Sequence, residues 1–232
     1  MENCMTAVLL GIPTYDGRVG TGTMMSALRA SRRHEVYASC RTSSLLPKAF
    51  NLLWADAVSS GADYFVMLHA DLEPDRFFVD TLVDISERQD ADVVSCCVPI
   101  KDDSQLVSTA MWMFADREPH YRLTFDDLKR LPETFSSADV VDRLGVPGAL
   151  VVNTGCWIAR LQQPWCRRVS FTMESCIDWQ ADGTPYIYVL PEDWHFSRQL
   201  HHEGCSVYAT QAVSVRHHGA RQWTLCDQSL SV

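Results

Sequence analysis

Long apolar runs are missing from this chain of 232 residues. None approaches the roughly 18–20 residues that cross a bilayer as a helix. The opening stretch, MENCMTAVLLGIPTYDG, has neither a basic leader nor a long apolar segment, so a cytoplasmic location is expected. Paired cysteines are missing too. The nine are an odd number, none forms a C-x-x-C pair, and Cys96 and Cys97 are adjacent inside an apolar stretch. That spacing builds neither a disulfide framework nor a zinc knuckle and leaves buried free thiols in a reducing compartment. A general excess of positive charge is also absent, since the formal net charge is −9. Residues 51–150 hold eight basic and nineteen acidic groups, whereas residues 1–50 hold six and three. A nucleic-acid-binding surface over the whole chain is therefore excluded. The local cluster Arg29, Arg32, Arg33, His34 and Arg41 is either a phosphate contact or a solvated helix end and loop. Finally, Gly17, Gly20 and Gly22 fit neither the P-loop nor the dinucleotide fingerprint.

What is present is a soluble globular composition, 47% apolar and 21% charged, with enough length for a substantial core. Ala7 to Ile12 (AVLLGI), Tyr64 to Leu68 (YFVML) and Ala91 to Val98 (ADVVSCCV) are short apolar runs without helical rhythm, which predicts strands, and His34 to Cys40 is expected to be another strand. The chain is expected to leave the first strand at Pro13. Between these runs a helix is predicted over Thr23 to Arg32, with Met24, Met25 and Leu28 inward. A second is predicted over Ser44 to Ser60, with Ser43 or Ser44 as N-cap, Pro47 in the first turn and Gly61 after its end. A third should open at Pro74 and Asp75 and run to about Arg88, with Phe77, Phe78, Leu82, Val83 and Ile85 inward. Strands alternating with helices build a mainly parallel sheet with helices on both faces. Residues 104–147 are less readable: STAMWMF suggests a strand, TFDDLKRL a short helix, and the rest an acidic loop.

Chemistry-bearing residues fall at strand ends. His69 and Asp71 follow the run YFVML and, one residue apart in an extended chain, point the same way. In an open α/β sheet the crevice past the carboxyl ends of the strands is where ligands bind. Lys101 leaves the fourth strand on the same edge, as a phosphate or sugar contact or as a solvated loop lysine. Asn51 lies on the second predicted helix, either reaching toward a ligand or resting on the helix surface. Glu192 and Asp193 open a late helix, where the helix dipole favours negative charge. The final strands lead into Arg216-His217-His218-Gly219.

Four of these segments, IPTYDG, HAD, PEDW and VRHHG, resemble in order and spacing the motifs of GT-A glycosyltransferases. The likeness is to the family-two branch, which includes small phage and bacterial members. The resemblance implies an α/β, GT-A (Rossmann-like) fold with a mixed, mainly parallel central sheet flanked by helices. It implies one domain over residues 1–232, with a nucleotide-binding half (1–103) and an acceptor-binding half (104–232). It implies that Pro13, Thr14 and Asp16 face the nucleotide, and that Asn153 and Gly155, in ALVVNTGCWIAR, lie under the donor sugar. Asp71 and His217 would ligate Mn²⁺ or Mg²⁺, with His69, which stands where the family has an aspartate, joining the metal or facing the ribose. Asp193 would be the base that takes the acceptor's proton, with Glu192 as the reserve candidate, and the sugar would be transferred with inversion.

The implied donor is a nucleotide sugar, a UDP-sugar foremost. The acceptor is a glycan, a protein, a small molecule or a hydroxymethylated DNA base. For DNA, Trp112 or Trp157 would stack on a flipped base. A nucleotidyltransferase, for which Arg18 among the glycines is a faint cue, and a non-catalytic nucleotide-sugar binder are the rival readings.

Overall fold

The computed structural model describes residues 5–113, 120–219 and 222–224. The first half alternates as the apolar pattern requires: β1 (Ala7–Thr14), α1 (Thr21–Leu28), β2 (Glu35–Thr42), α2 (Leu46–Ser60), β3 (Tyr64–Leu68), a short β4 (Leu72–Pro74), α3 (Phe78–Arg88) and β5 (Val93–Cys96). The second half begins with β6 (Leu106–Trp112), β7 (His120–Thr124), α4 (Phe125–Arg130), β8 (Thr134–Phe135), α5 (Ser137–Leu144), β9 (Ala149–Val151) and β10 (Cys156–Arg160). It continues through the hairpin of β11 (Glu174–Trp179) and β12 (Pro185–Leu190), then α6 (Glu192–His202), β13 (Val207–Thr210), β14 (Val215–His218) and β15 (Gln222–Trp223). Phe114, the last residue of the expected STAMWMF strand, lies outside the described residues.

Seven strands form the central sheet in the order β2-β1-β3-β10-β5-β13-β8. β1 is parallel to β2 and β3, and β13 is parallel to β5. β10 enters antiparallel between β3 and β5, and β8 closes the far edge antiparallel to β13. The result is a mixed, mainly parallel sheet flanked by helices. All of β3 is buried because both faces are covered, and alternation divides it. Phe65 and Met67 join Phe50, Leu53 and Trp54 of α2 on one side, while Val66 and Leu68 join Phe78, Leu82 and Val83 of α3 on the other.

Several local expectations are corrected. β1 continues through Pro13 and Thr14, paired with Arg41 and Thr42, because proline lacks only the N–H and its carbonyl side stays in the ladder. α1 turns Met24, Met25 and Leu28 outward and buries Thr23 and Ser26 instead. The reason is polar. Thr23 donates to the Ala70 carbonyl at 3.0 Å and Ser26 to the Pro74 carbonyl at 2.6 Å, fixing the small face of α1 on that turn. α2 keeps Pro47 in its first turn and Gly61 in the left-handed region at its end, but its N-cap is Leu45 without a side-chain cap. α3 starts at Phe78 rather than Pro74, because Leu72–Pro74 is taken up in pairing with β14. Among the described residues seven cysteines are free, and Cys40 and Cys176 are exposed rather than buried. No described helix is long and apolar enough to cross a membrane.

One consequence of the topology decides where the site lies. Because β10 runs opposite to its neighbours, its first residue, Cys156, pairs with the last residue of β3, Leu68. The turn before β10 therefore opens on the same edge as the carboxyl ends of β1, β3 and β5.

Candidate functional site

Pro13 and Thr14 at the end of β1, with Tyr15, Asp16 and Arg18 after it, face Phe50 of α2 and the His69, Ala70 and Asp71 turn after β3 across a cleft of about 450 Å³. The β1 loop is held by its own side chains. The Thr14 hydroxyl meets that of Thr42 at 2.8 Å and accepts the Gly17 N–H, while the Asp16 carboxylate accepts the Arg18 N–H. The glycines there do not cradle an anion. Gly20 donates its N–H to the Ala70 carbonyl at 2.8 Å, and a side chain at Gly22 would strike Glu73, so both permit α1 to seat closely on the 70–73 turn.

At the mouth of the cleft Asp71 meets two basic groups. The Lys101 ammonium hydrogen-bonds its Oδ2, and His217 Nε2 lies 3.7 Å from the same oxygen. His217 Nδ1 is 2.8 Å from the Pro99 carbonyl oxygen, so Nδ1 carries the hydrogen and Nε2 is turned toward the carboxylate. Burial works to raise the Asp71 carboxyl, yet the hydrogen bonds and charges of His217 and Lys101 hold it well below the usual carboxylate range. Pairing of β14 with β4 sets His217 opposite Leu72, and alternation sends His218 to Glu73, 2.7 Å away. Of the two histidines, only His217 is thus aimed at Asp71.

His69 is fixed by its N–H, which donates to the Gly155 carbonyl at 2.7 Å. Burial pulls its imidazole down to about 4, so the ring is neutral, and its Nε2 is buried with no hydrogen-bond partner. Among the described residues no three His, Cys, Asp or Glu side chains gather around one ion position. His69, Asp71 and His217 therefore do not close into a three-ligand metal cage.

The turn before β10 passes beneath His69. The Asn153 side-chain oxygen accepts the Gly155 N–H at 2.6 Å, and the Asn153 carbonyl accepts the Ser95 hydroxyl. A Cβ on Gly155 would lie 2.6 Å from Asn153 Oδ1 and 2.8 Å from Leu72, so any side chain there would have to push both aside. The same turn is tied to α6. Val152 donates its N–H to the Ser197 hydroxyl at 3.0 Å, and that hydroxyl also meets the Asp193 carbonyl at 2.8 Å. The first turn of α6, which carries Asp193, is thereby anchored to Val152. Burial, helped by neighbouring Glu192, pushes the Asp193 carboxyl up to about 7, against the opposing pull of the Trp194 N–H and of Arg122.

Some sequence-derived candidates stand apart. Asn51 uses both ends of its amide on the Phe171 backbone, each at 2.8 Å, and so fastens α2 to the segment after β10. Trp157 is fully buried and stacks on Trp54 in the core, which removes it from any flipped-base platform. The basic cluster is largely neutralised at home: Arg33 pairs with Asp84, Arg41 with Asp56, and Arg32 lies over the Phe77 ring. Conversely, His120, Arg122 and Arg198 gather around Trp194 and Trp112, and sequence reading had not singled them out. The two-residue spacing of His120 and Arg122 in HYRLT was the available signal, since it sets both on one face of a strand.

No protein-family model matches the sequence. No curated protein matches it either. Among solved structures, the crystal structure of A197 from STIV aligns at a TM-score of 0.52 and 11% identity, covering 92% of this chain and 86% of that one, which shows a shared fold. HddC from Yersinia pseudotuberculosis, complexed with GMP-PN, aligns at a TM-score of 0.34 and 10% identity over 83% of this chain and 98% of that one, too distant to carry an argument.

Proposed function

We propose that the chain is a glycosyltransferase of the GT-A type, transferring a sugar from a nucleoside-diphosphate donor, a UDP-sugar foremost, to a hydroxyl acceptor. The observation that supports this reading is a pair of carboxyls shifted in opposite directions. Asp71 stays ionised at the mouth of the cleft, while Asp193, in a helix turn tied through Ser197 to Val152, the residue before the Asn153–Gly155 turn, is raised to about 7. A carboxyl titrating near neutrality is what a general base needs.

In this reading residues 1–103 supply most of the nucleotide side, with Pro13, Thr14 and Asp16 along the base and ribose. Residues 104–232 supply the acceptor side together with His217 and the Asn153–Gly155 turn. Asp71 and His217 are the residues that would hold Mn²⁺ or Mg²⁺, whose chemistry there is to neutralise the leaving diphosphate. The fit is partial but coherent: an imidazole held through Nδ1 on a backbone carbonyl, with Nε2 turned toward a carboxylate, is oriented as a metal-bound histidine is. Two protein ligands also suit a hard cation that keeps phosphate oxygens and waters. Gly155 lets the backbone approach the sugar, and Asn153 offers its amide to a hydroxyl. The acceptor oxygen then attacks the anomeric carbon on the face opposite the nucleotide, the bond from that carbon to the diphosphate oxygen breaks with its electron pair, and the hydroxyl proton passes to Asp193. Inversion is the outcome.

Lys101 supports a second version of the same site. Its ammonium already compensates Asp71, so on binding it can swing to the diphosphate and take the place of a metal. Incubation with a panel of nucleotide sugars, with and without Mn²⁺, tests both. Nucleoside diphosphate released only with metal supports the first version, and release that survives chelation supports the second. Pyrophosphate release would identify a nucleotidyltransferase, and binding without any release would leave a nucleotide-sugar binder.

A further inference from the structure

A second polar cluster lies on the other side of Asp193, where the sheet of β7, β6 and β9 meets α6. His120 and Arg122, on one face of β7, both lie against the Trp194 indole. The imidazole stacks at 4.1 Å between ring centroids, and the guanidinium carbon sits 4.5 Å from the ring. Arg198, one helical turn beyond Trp194, covers Trp112 at 4.6 Å and points an Nη2 hydrogen at His120 Nε2, 3.1 Å away. That contact requires a bare Nε2, so His120 is neutral, and burial between two guanidiniums holds it at about 4.

Two cations remain: the charges of Asp193 and Asp102 act on Arg122, but neither Arg122 nor Arg198 is in ion-pair contact with a described carboxylate. Arg33, Arg41, Arg160, Arg168 and Arg216 each lie within 3.0 Å of a carboxylate oxygen. Among the described residues Arg122 and Arg198 have no such ion pair, although the chain carries a net charge of −9. Arg198 Nε is moreover buried with no hydrogen-bond partner. A guanidinium whose carbon lies 4.5 or 4.6 Å from an indole centroid leaves those edge N–H groups not already on a neighbour, as Arg198 Nη2 is on His120, to grip a carboxylate or phosphate.

We propose that Arg122 and Arg198, braced by His120, Trp194 and Trp112, form an oxyanion-binding subsite that selects an acceptor bearing a phosphate or carboxylate group. The substrate assignment rests on the transferase reading above, because it takes Asp193, the residue before Trp194, as the base. An acceptor held by its anionic group at the arginines presents its hydroxyl on the turn of α6 that carries that base. The arginines also do what a neutral acceptor would not need: they offset the cost of bringing a second negative group close to Asp193 and Glu192.

The test is equilibrium titration of the full chain with inorganic phosphate and, separately, with acetate, in wild type, Arg122→Gln, Arg198→Gln and Arg198→Lys. Saturable binding of one or both anions is expected, weakened at least tenfold in each Gln variant and less in Arg198→Lys, which keeps the charge but not the fork. Tighter phosphate than acetate assigns a phosphorylated acceptor, and the reverse order a carboxylated one. Nucleoside diphosphate should bind all variants as it binds wild type, which also certifies their fold. Absence of saturable anion binding in wild type, or Gln variants that bind like wild type, overturns the subsite. If anions bind through the arginines but no nucleotide sugar is turned over, the subsite stands and the transferase reading falls.

Discussion

At the mouth of the cleft, Asp71 sits half in solvent against Lys101 and His217, and these basic partners outweigh burial and keep it ionised. At the head of α6, Asp193 is half-buried with Glu192 beside it, and there burial wins over the Trp194 N–H and Arg122. The same functional group has been driven in opposite directions in one molecule. The comparison teaches that residue type alone does not fix how a carboxyl titrates. A carboxylate set among cations stays charged, and one whose shift is dominated by burial titrates near neutrality.

The sharpest way to break this comparison is to remove the proton acceptor. Asp193→Asn should lower the transfer rate about 10²–10⁴-fold while leaving nucleotide affinity within about twofold, as read by turnover against nucleoside-diphosphate titration. An unchanged rate would show that the raised carboxyl has no part in chemistry. At the other pole, Asp71→Asn should weaken metal-supported nucleotide binding about tenfold, or ~1.4 kcal/mol. Tighter metal-free binding in this variant would instead show that freeing Lys101 is what matters.

Acidity separates the two carboxyls without mutation. If Asp193 is the base, the rate should climb with pH and level off above about 7, and Asp193→Asn should be flat across that range. Stability should move the other way. The unfolded Asp193 ionises near 4 and the folded one near 7, so from about pH 4 upward the unfolded chain holds fewer protons. Its burial therefore destabilises the fold progressively up to about pH 7. Thermal melting should show Asp193→Asn more stable than wild type at pH 8 and equal to it at pH 3.

Smaller effects test the frame between the poles. Gly155→Ala places a methyl against Asn153 and Leu72 and should cost about 1–3 kcal/mol by denaturant unfolding, with loss of nucleotide affinity as His69 is displaced. Asn51→Ala breaks two backbone hydrogen bonds and should cost about 1–2 kcal/mol while leaving nucleotide affinity unchanged.

Most strands and helices of the first half were legible from local apolar pattern and turn residues. The unbroken run YFVML announced a doubly covered strand, and Pro47 with Gly61 marked the limits of α2. What could not be read were features settled by partners far along the chain. α1 looked apolar on the wrong side because its orientation is decided by two hydroxyls meeting carbonyls nearly fifty residues away. Leu72–Pro74 looked like a helix start because its strand partner is at 215–217. In the site, His69, Asp71, Lys101 and His217 were legible from their places beside strand ends, and the structure brings them to one edge. The arginine and histidine cluster was not, since its members come from β7 and α6, two elements nearly eighty residues apart in sequence.

The antiparallel insertion of β10 has a consequence for how the chain is made. The first hundred residues to be synthesised contain β3 and β5 but neither partner of β5: the strand that belongs between them lies at 156–160 and β13 at 207–210. Until then one border of β3 and both borders of β5 lack their partners and are open to mispairing with other nascent chains. Cleavage or premature termination before that point should leave a fragment that aggregates rather than a stable nucleotide-binding unit.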